Sequence, residues 1–179
     1  MIYYLIASIL IAVTALFART KRAVLAAGIL FYAVQIAAAG LLLWGGLYDT
    51  TSAAFFTFDA LGTLFYLLLV VVSMYVFGHS EAYLQGEDLR SYRLYFALLM
   101  LLTTAIAGAY FANNLAVTWI FLEATTLCSA GIIYHRRTAQ ALEAAWKYVF
   151  VCSTGIAMAY LGILLLAAAT KCETLSYEA

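Results

Sequence analysis

Proline is absent from all 179 residues, and charge is scarce: 10% of positions are Asp, Glu, Lys or Arg. A soluble domain carries about 25% charged residues and cannot cover its surface with so few, so an ordinary soluble fold is excluded. The lack of proline rules out proline-kinked or proline-broken helices. Nine basic residues balance nine acidic ones, so there is no basic footprint for nucleic acid. The three cysteines, Cys128, Cys152 and Cys172, show no CxxC spacing and read as free thiols with no metal site. Phosphate-binding glycine loops, the GxSxG elbow and the HExxH motif are missing as well. Nothing here makes a catalytic centre or calls for a cofactor, so any redox or hydrolytic energy has to come from partner chains.

What the chain has instead is apolar length. Hydrophobic residues make up 67% of it, in long runs without the period-2 alternation of a β-barrel strand. Six runs approach spanning length, at about residues 2–17, 23–46, 59–78, 93–111, 115–134 and 144–169. The expectation is an all-α polytopic transmembrane bundle of about six spanning helices in a lipid bilayer, a single membrane domain over 1–179. The first run has no basic stretch before it and ends in Ala18-Arg19-Thr20-Lys21-Arg22, which reads as a retained span, not a cleaved signal peptide.

Basic residues fall in alternate connections. Arg19, Lys21 and Arg22 follow the first run, Arg90 and Arg93 the third, and His135, Arg136 and Arg137 the fifth; stretches 47–58 and 112–114 have no Lys or Arg. Short loops rich in Lys and Arg stay on the cytoplasmic side. This predicts an N-terminus outside and a multi-pass protein of the inner (cytoplasmic) membrane, with Lys171 the one dissenting charge. Residues 79–92 form the longest polar connection. Tyr3, Tyr4, Trp44, Tyr48, Tyr75, Tyr134 and Trp146 near the run ends read as interface anchors.

The fifth run has one charged residue, Glu123, close to its middle. A bare carboxylate at that depth costs several kcal/mol, so the side chain must be protonated, paired or turned towards a polar cavity. At 100° per residue Ala116, Trp119, Thr126 and Ala130 lie within about 60° of it, a stripe of small residues and one hydroxyl that admits a neighbouring helix or water. Two readings are open: proton handling, or a neutral acid acting as hydrogen-bonded glue between helices. Glu143 and Lys147, four residues apart with the acid first, can meet on one helical face. They form either an interfacial ion pair with Lys147 snorkelling, or the mouth of a polar path to Glu123. Thr154, Gly155, Ala157, Met158, Ala159 and Gly162 offer a smooth flank for helix contact. Asp59 reads as a helix cap and Asn113 and Asn114 as turn residues. His79 and His135 sit at membrane borders, with a proton-collecting role open to His135.

With these residues in hand, a resemblance appears. Trp119-Ile-Phe-Leu-Glu123-Ala-Thr-Thr-Leu-Cys-Ser-Ala130 and Ala141-Leu-Glu-Ala-Ala-Trp-Lys147-Tyr148 resemble the antiporter-like membrane subunits of respiratory complex I and membrane-bound nickel–iron hydrogenases. The chain is most similar to the hydrogenase-4 component F branch of formate hydrogenlyase-type complexes. Phe56-Thr-Phe-Asp59-Ala-Leu-Gly62 matches the start of that family's third span, and the likeness runs from about residue 55 to 168. It implies a subunit working with other membrane and hydrophilic subunits, whose redox chemistry drives protons or sodium ions through charged groups and buried water. Family members have fourteen helices, including two related five-helix units of inverted topology. Glu123 matches the fifth-helix glutamate that tunes a seventh-helix lysine, and Lys147 matches the sixth-helix lysine of the same chain of charges. The proton-pathway candidates are thus Glu123, Lys147, Glu143, Thr126 and His135. The sequence departs from the pattern by stopping just after the sixth run, without the broken seventh helix, its lysine or the second repeat. A fragment, a split subunit completed by another chain, or a non-conducting structural or assembly subunit each fits that departure.

Overall fold

Uniformly apolar runs without proline become helices wherever a side chain supplies the first turn with an acceptor, and this chain supplies one at nearly every start. The computed structural model describes residues 2–44 and 55–170. Six helices occupy them: α1 (Ile2–Phe17), α2 (Lys21–Leu43), α3 (Ala60–Tyr83), α4 (Leu89–Phe111), α5 (Leu115–Ile133) and α6 (Ala139–Thr170). The side chain of Thr20 accepts from the amide of Ala23, Asp59 from Gly62, Asp88 from Arg90, Asn114 from Ala116, and Thr138 from Ala141. Each bond satisfies one of the orphan amides that begin a helix. Asp59 is therefore a cap, as read from the sequence, and Asn114, read there as a turn residue, caps α5 as well.

The all-α class holds: no strand occurs among the described residues, only an isolated antiparallel bridge between Phe56 and Ala112. Five helices, α2 to α6, are long and apolar enough to cross a membrane. The first is not. Its 16 residues reach about 24 Å at 1.5 Å per residue, against a hydrocarbon core of about 30 Å. At the other extreme α6 has 32 residues. The connection expected over 79–92 shrinks to 84–88, because the polar residues 79–83 continue α3 and 89–92 begin α4. Lys171 and Cys172, Tyr48 and most of the 47–58 connection lie outside the described residues.

The helices are not equal partners. Helix α4 packs against α1, α2, α3 and α5, and buries Phe96, Met100, Thr103 and Phe111 among others. Among the described elements, helix α6 touches only α5 and the 3₁₀ turn Tyr134–Arg136 that precedes it. Helix α5 stands between, and glycines set how closely it lies on α4. A Cβ on Gly108 of α4 would meet the Phe121 ring at 2.4 Å, and one on Gly131 of α5 would meet Leu98 at 2.6 Å. Only glycine leaves room for those side chains.

One end of the bundle collects the charges. Lys21 Nζ donates to the Glu87 carbonyl at 2.7 Å, Arg93 to the Ala18 carbonyl at 3.0 Å, and Arg136 pairs with the Glu87 carboxylate at 3.1 Å. The connections after α1, α3 and α5 are thereby tied together. At the opposite end the α4–α5 turn is pinned to the segment before α3, with Thr57 donating to Phe111 at 2.9 Å and Asn113 to Phe55 at 2.8 Å.

Candidate functional site

The seam between α5 and α6 carries the polar chemistry expected of the fifth span. Asn114 fixes where α5 begins, accepting from Ala116 at 2.9 Å and Val117 at 3.4 Å, which sets the rotational phase of everything after it. Trp119 and Glu123, one turn apart, then face α6. The indole of Trp119 donates to the Ile156 carbonyl at 3.0 Å, and its ring lies 4.6 Å from that of Tyr160. Ser153 Oγ donates to Glu123 Oε1 at 3.0 Å. The pairs 119 with 156 and 123 with 153 keep nearly constant sums, as two antiparallel helices in register require.

Glu123 is partly buried near the middle of α5. A carboxylate oxygen held by a hydroxyl across a helix contact recovers part of what it loses on leaving water. Among the described residues the ion pairs are Arg136 with Glu87 and Lys147 with Glu143, so no cation pairs with Glu123.

Lys147 and Glu143 do meet, at the i, i+4 spacing, with 71% and 65% of their side chains exposed. Their pair stands on the flank of α6 away from α5. Ser153, which faces Glu123, is six residues from Lys147, equal to about 9 Å of rise and about 120° of turn. The structure thus brings together Glu143 and Lys147, and Glu123 and Ser153, but not Lys147 and Glu123.

Thr126 is buried, but its hydroxyl turns back to the Leu122 carbonyl of its own helix at 3.2 Å. Such back-bonding satisfies the hydroxyl locally. His135 lies at the charged end of the bundle, just after α5, and is 7% exposed there. Its Nδ1 lies 2.7 Å from the Ile132 carbonyl. A carbonyl only accepts, so Nδ1 carries a proton, and the buried Nε2 has no hydrogen-bond partner among the described residues. The rings of Tyr95 and Tyr83 lie 5.2 and 6.3 Å from the imidazole, and Arg136 covers Tyr83.

The flank expected for helix contact on α6 is open among the described residues of this chain. Thr154, Gly155, Ala157, Met158, Ala159 and Gly162 are all exposed, and nothing lies within 4 Å of a Cβ on Gly155 or Gly162. The contact face runs through Ala145, Cys152, Ser153 and Ile156. Ser153 and Tyr160 are the site residues that reading the sequence missed. Their signal was weak but present, since Ser153 is the one hydroxyl of α6 that the register of Glu123 can reach. Among the described residues Cys128 and Cys152 are free, and no three His, Cys, Asp or Glu residues gather as a metal site.

No family model matches the chain. Over 118 residues, 63% of this chain, it is 30% identical to a protein of Methylacidiphilum infernorum (isolate V4) named "Hydrogenase-4 component F homolog". That match covers 25% of the relative, so the chain spans about a quarter of its length. Five helices of spanning length and this likeness make the chain a multi-pass membrane protein similar, over part of its length, to a hydrogenase component.

Proposed function

We propose that the chain is a membrane subunit, or an N-terminal portion or split half of one, in a redox-driven proton-translocating complex of the hydrogenase-4 or complex I type. It lies in the inner membrane with its N-terminus outside, has no catalytic centre of its own, and works with membrane and hydrophilic partner subunits. The observation that carries this reading is Glu123, an acid partly buried near the middle of a spanning helix, with a hydroxyl of the next helix on one oxygen. Intramembrane acids facing another helix mark ion pathways by default. The likeness to a hydrogenase component and the gathering of basic connections at one end support the same reading.

In this mechanism Glu123 holds or releases a proton according to whether a cation stands beside it. At 4 Å, with an effective dielectric of about 20, that attraction is about 4 kcal/mol, enough to change occupancy near neutral pH. The cation is either Lys147 or a basic group of a neighbouring chain. The second source asks for the smaller rearrangement, because Lys147 is already held by Glu143 on the other flank of α6. Thr126 shapes the wall of the seam, and His135 exchanges protons at the charged end.

A second reading is a structural or assembly subunit of the same membrane arm that conducts nothing. The contacts of Trp119 with Ile156 and of Ser153 with Glu123 favour it, since both act as interhelical glue. Replacing Glu123 with Gln in the assembled complex separates the two. Under the first reading, proton uptake into inverted vesicles during electron transfer is lost while the complex still assembles; full translocation with Gln in place overturns it.

A further inference from the structure

A crevice lies away from the α5–α6 seam, at the end of the bundle opposite the basic connections. Tyr4 of α1, Leu42 of α2, Phe58, Tyr66 of α3 and Phe111 of α4 wall a cavity of about 210 Å³. Its floor is closed, since Leu42, Tyr66 and Phe111 are buried, and its rim is open, since Tyr3 and Leu41 are exposed. The aromatic walls brace one another. Ring centroids stand 6.1 Å apart for Tyr4 and Tyr66, 5.6 Å for Tyr66 and Phe111, and 5.1 Å for Phe58 and Phe111. The hydroxyls of Tyr4 and Tyr66 both donate to the amide oxygen of Gln35, at 2.6 and 2.7 Å. Gln35 is wholly buried and is not part of the lining. The two phenols therefore give the cavity their rings and keep their polar ends elsewhere, and none of the lining residues is charged.

We propose that this crevice holds the upper part of one phospholipid acyl chain, from the leaflet at that end of the bundle. Apolar cavities of about 150 Å³ exclude water and take hydrocarbon, and this one is larger and lined in the same way. A polar ligand such as a quinone head group would find the phenols of the floor already engaged by Gln35. The space is also smaller than the roughly 300–1,000 Å³ of a whole small-molecule site, so it takes a portion of a chain and not an entire ligand. Around a bundle of spanning helices, the hydrocarbon at hand is the bilayer itself. The rim sets the depth. Trp44, three residues after Leu41 and within about 60° of it around α2, is exposed, as is Tyr3. Exposed Tyr and Trp settle at head-group level, with an apolar body and a polar tip. A lipid whose ester groups lie beside them has its first methylenes level with the crevice. Walls already braced ask little rearrangement of the protein when the chain enters.

The test uses the full chain in nanodiscs, with whatever copurifies, and a phospholipid carrying a diazirine in the upper half of one acyl chain. After illumination, adducts are mapped by mass spectrometry. The expected result is an excess on peptides holding Tyr3, Leu41 and Phe58 over those holding Met158 and Leu165, whose exposed side chains on α6 report bulk lipid. Ala38 also lines the cavity, so Ala38→Phe fills it and is expected to abolish the excess while the α6 adducts stay. If Ala38→Phe fails to fold, the more flexible filler in Ala38→Met decides by the same loss. Equal labelling of the two regions, or an excess that survives the filled cavity, overturns the assignment. So does an excess that a soluble quinone displaces, since the occupant is then a ring and not a lipid chain.

Discussion

Helices α1 to α4 and helix α6 answer the same problem, polar groups in an apolar chain, in opposite ways. In the first region the polar groups point inward and meet each other. Tyr32 donates to the Ser73 carbonyl at 2.9 Å, Ser80 and Tyr95 share a hydrogen bond at 3.1 Å, and Tyr66 closes on Gln35. The acceptors and donors on α3 recur every seven residues, at Tyr66, Ser73 and Ser80, which keeps them on one buried face. On α6 Ser153 and Tyr160 engage α5 through a hydrogen bond and a ring contact, while Glu143, Lys147, Phe150, Met158 and Leu165 lie open. The lesson is that burial inside this bundle does not require α6. What α6 contributes is one wall of the Glu123 seam, and a second flank turned to lipid or a partner.

Three substitutions probe that contrast, beginning with the largest expected effect. Gly108→Val puts a branched side chain where even a Cβ meets the Phe121 ring at 2.4 Å. Overpacking of this kind costs about 1–3 kcal/mol, so thermal unfolding in nanodiscs is expected several degrees lower; an unchanged midpoint refutes the tight α4–α5 crossing. Trp119→Phe keeps the ring near Tyr160 but removes the donor to Ile156. Interhelical hydrogen bonds in membranes average about 0.6 kcal/mol. A small loss of stability is expected, with α6 the first helix to become protease-accessible. If another helix is released first, α6 is not the loosely held element. Lys147→Met breaks a pair that is mostly exposed, so thermal stability is expected to stay within about 0.5 kcal/mol. A larger drop means that the pair is buried against a partner in the complex.

The legible part of the fold was the part written in single residues. Asp59 announced a helix start because a carboxylate before an apolar run has few other uses, whereas Asn114 read only as a turn residue and proves to cap α5 too. Glu143 and Lys147 announced their pairing through spacing alone. Helix facing was harder to read, for a physical reason. On a helix apolar all round, the sequence carries no stripe that says which side meets protein and which meets lipid. Small residues on α6 mark a flank that no described helix of this chain fills, because glycine and alanine permit close approach without requiring it. A histidine after a span reads as a border residue, and the burial that the 3₁₀ turn Tyr134–Arg136 gives it between Tyr83 and Tyr95 had no signal in the sequence. The left-handed backbone of Arg137, at φ 53°, then ends that turn.

The extra length of α6 has a consequence for its charges. Thirty-two residues rise about 48 Å, and a lean of about 40°, near the limit seen for such helices, still leaves about 37 Å along the bilayer normal. Some 7 Å must then emerge from a hydrocarbon layer about 30 Å thick. With that excess at the charged end, Glu143, about 6 Å from the helix start, reaches head-group level, and Lys147 lies one turn below, within reach of it by its own stem. The acid–amine couple then becomes a doorstep washed by the aqueous phase, and a proton arriving there has not yet entered oil.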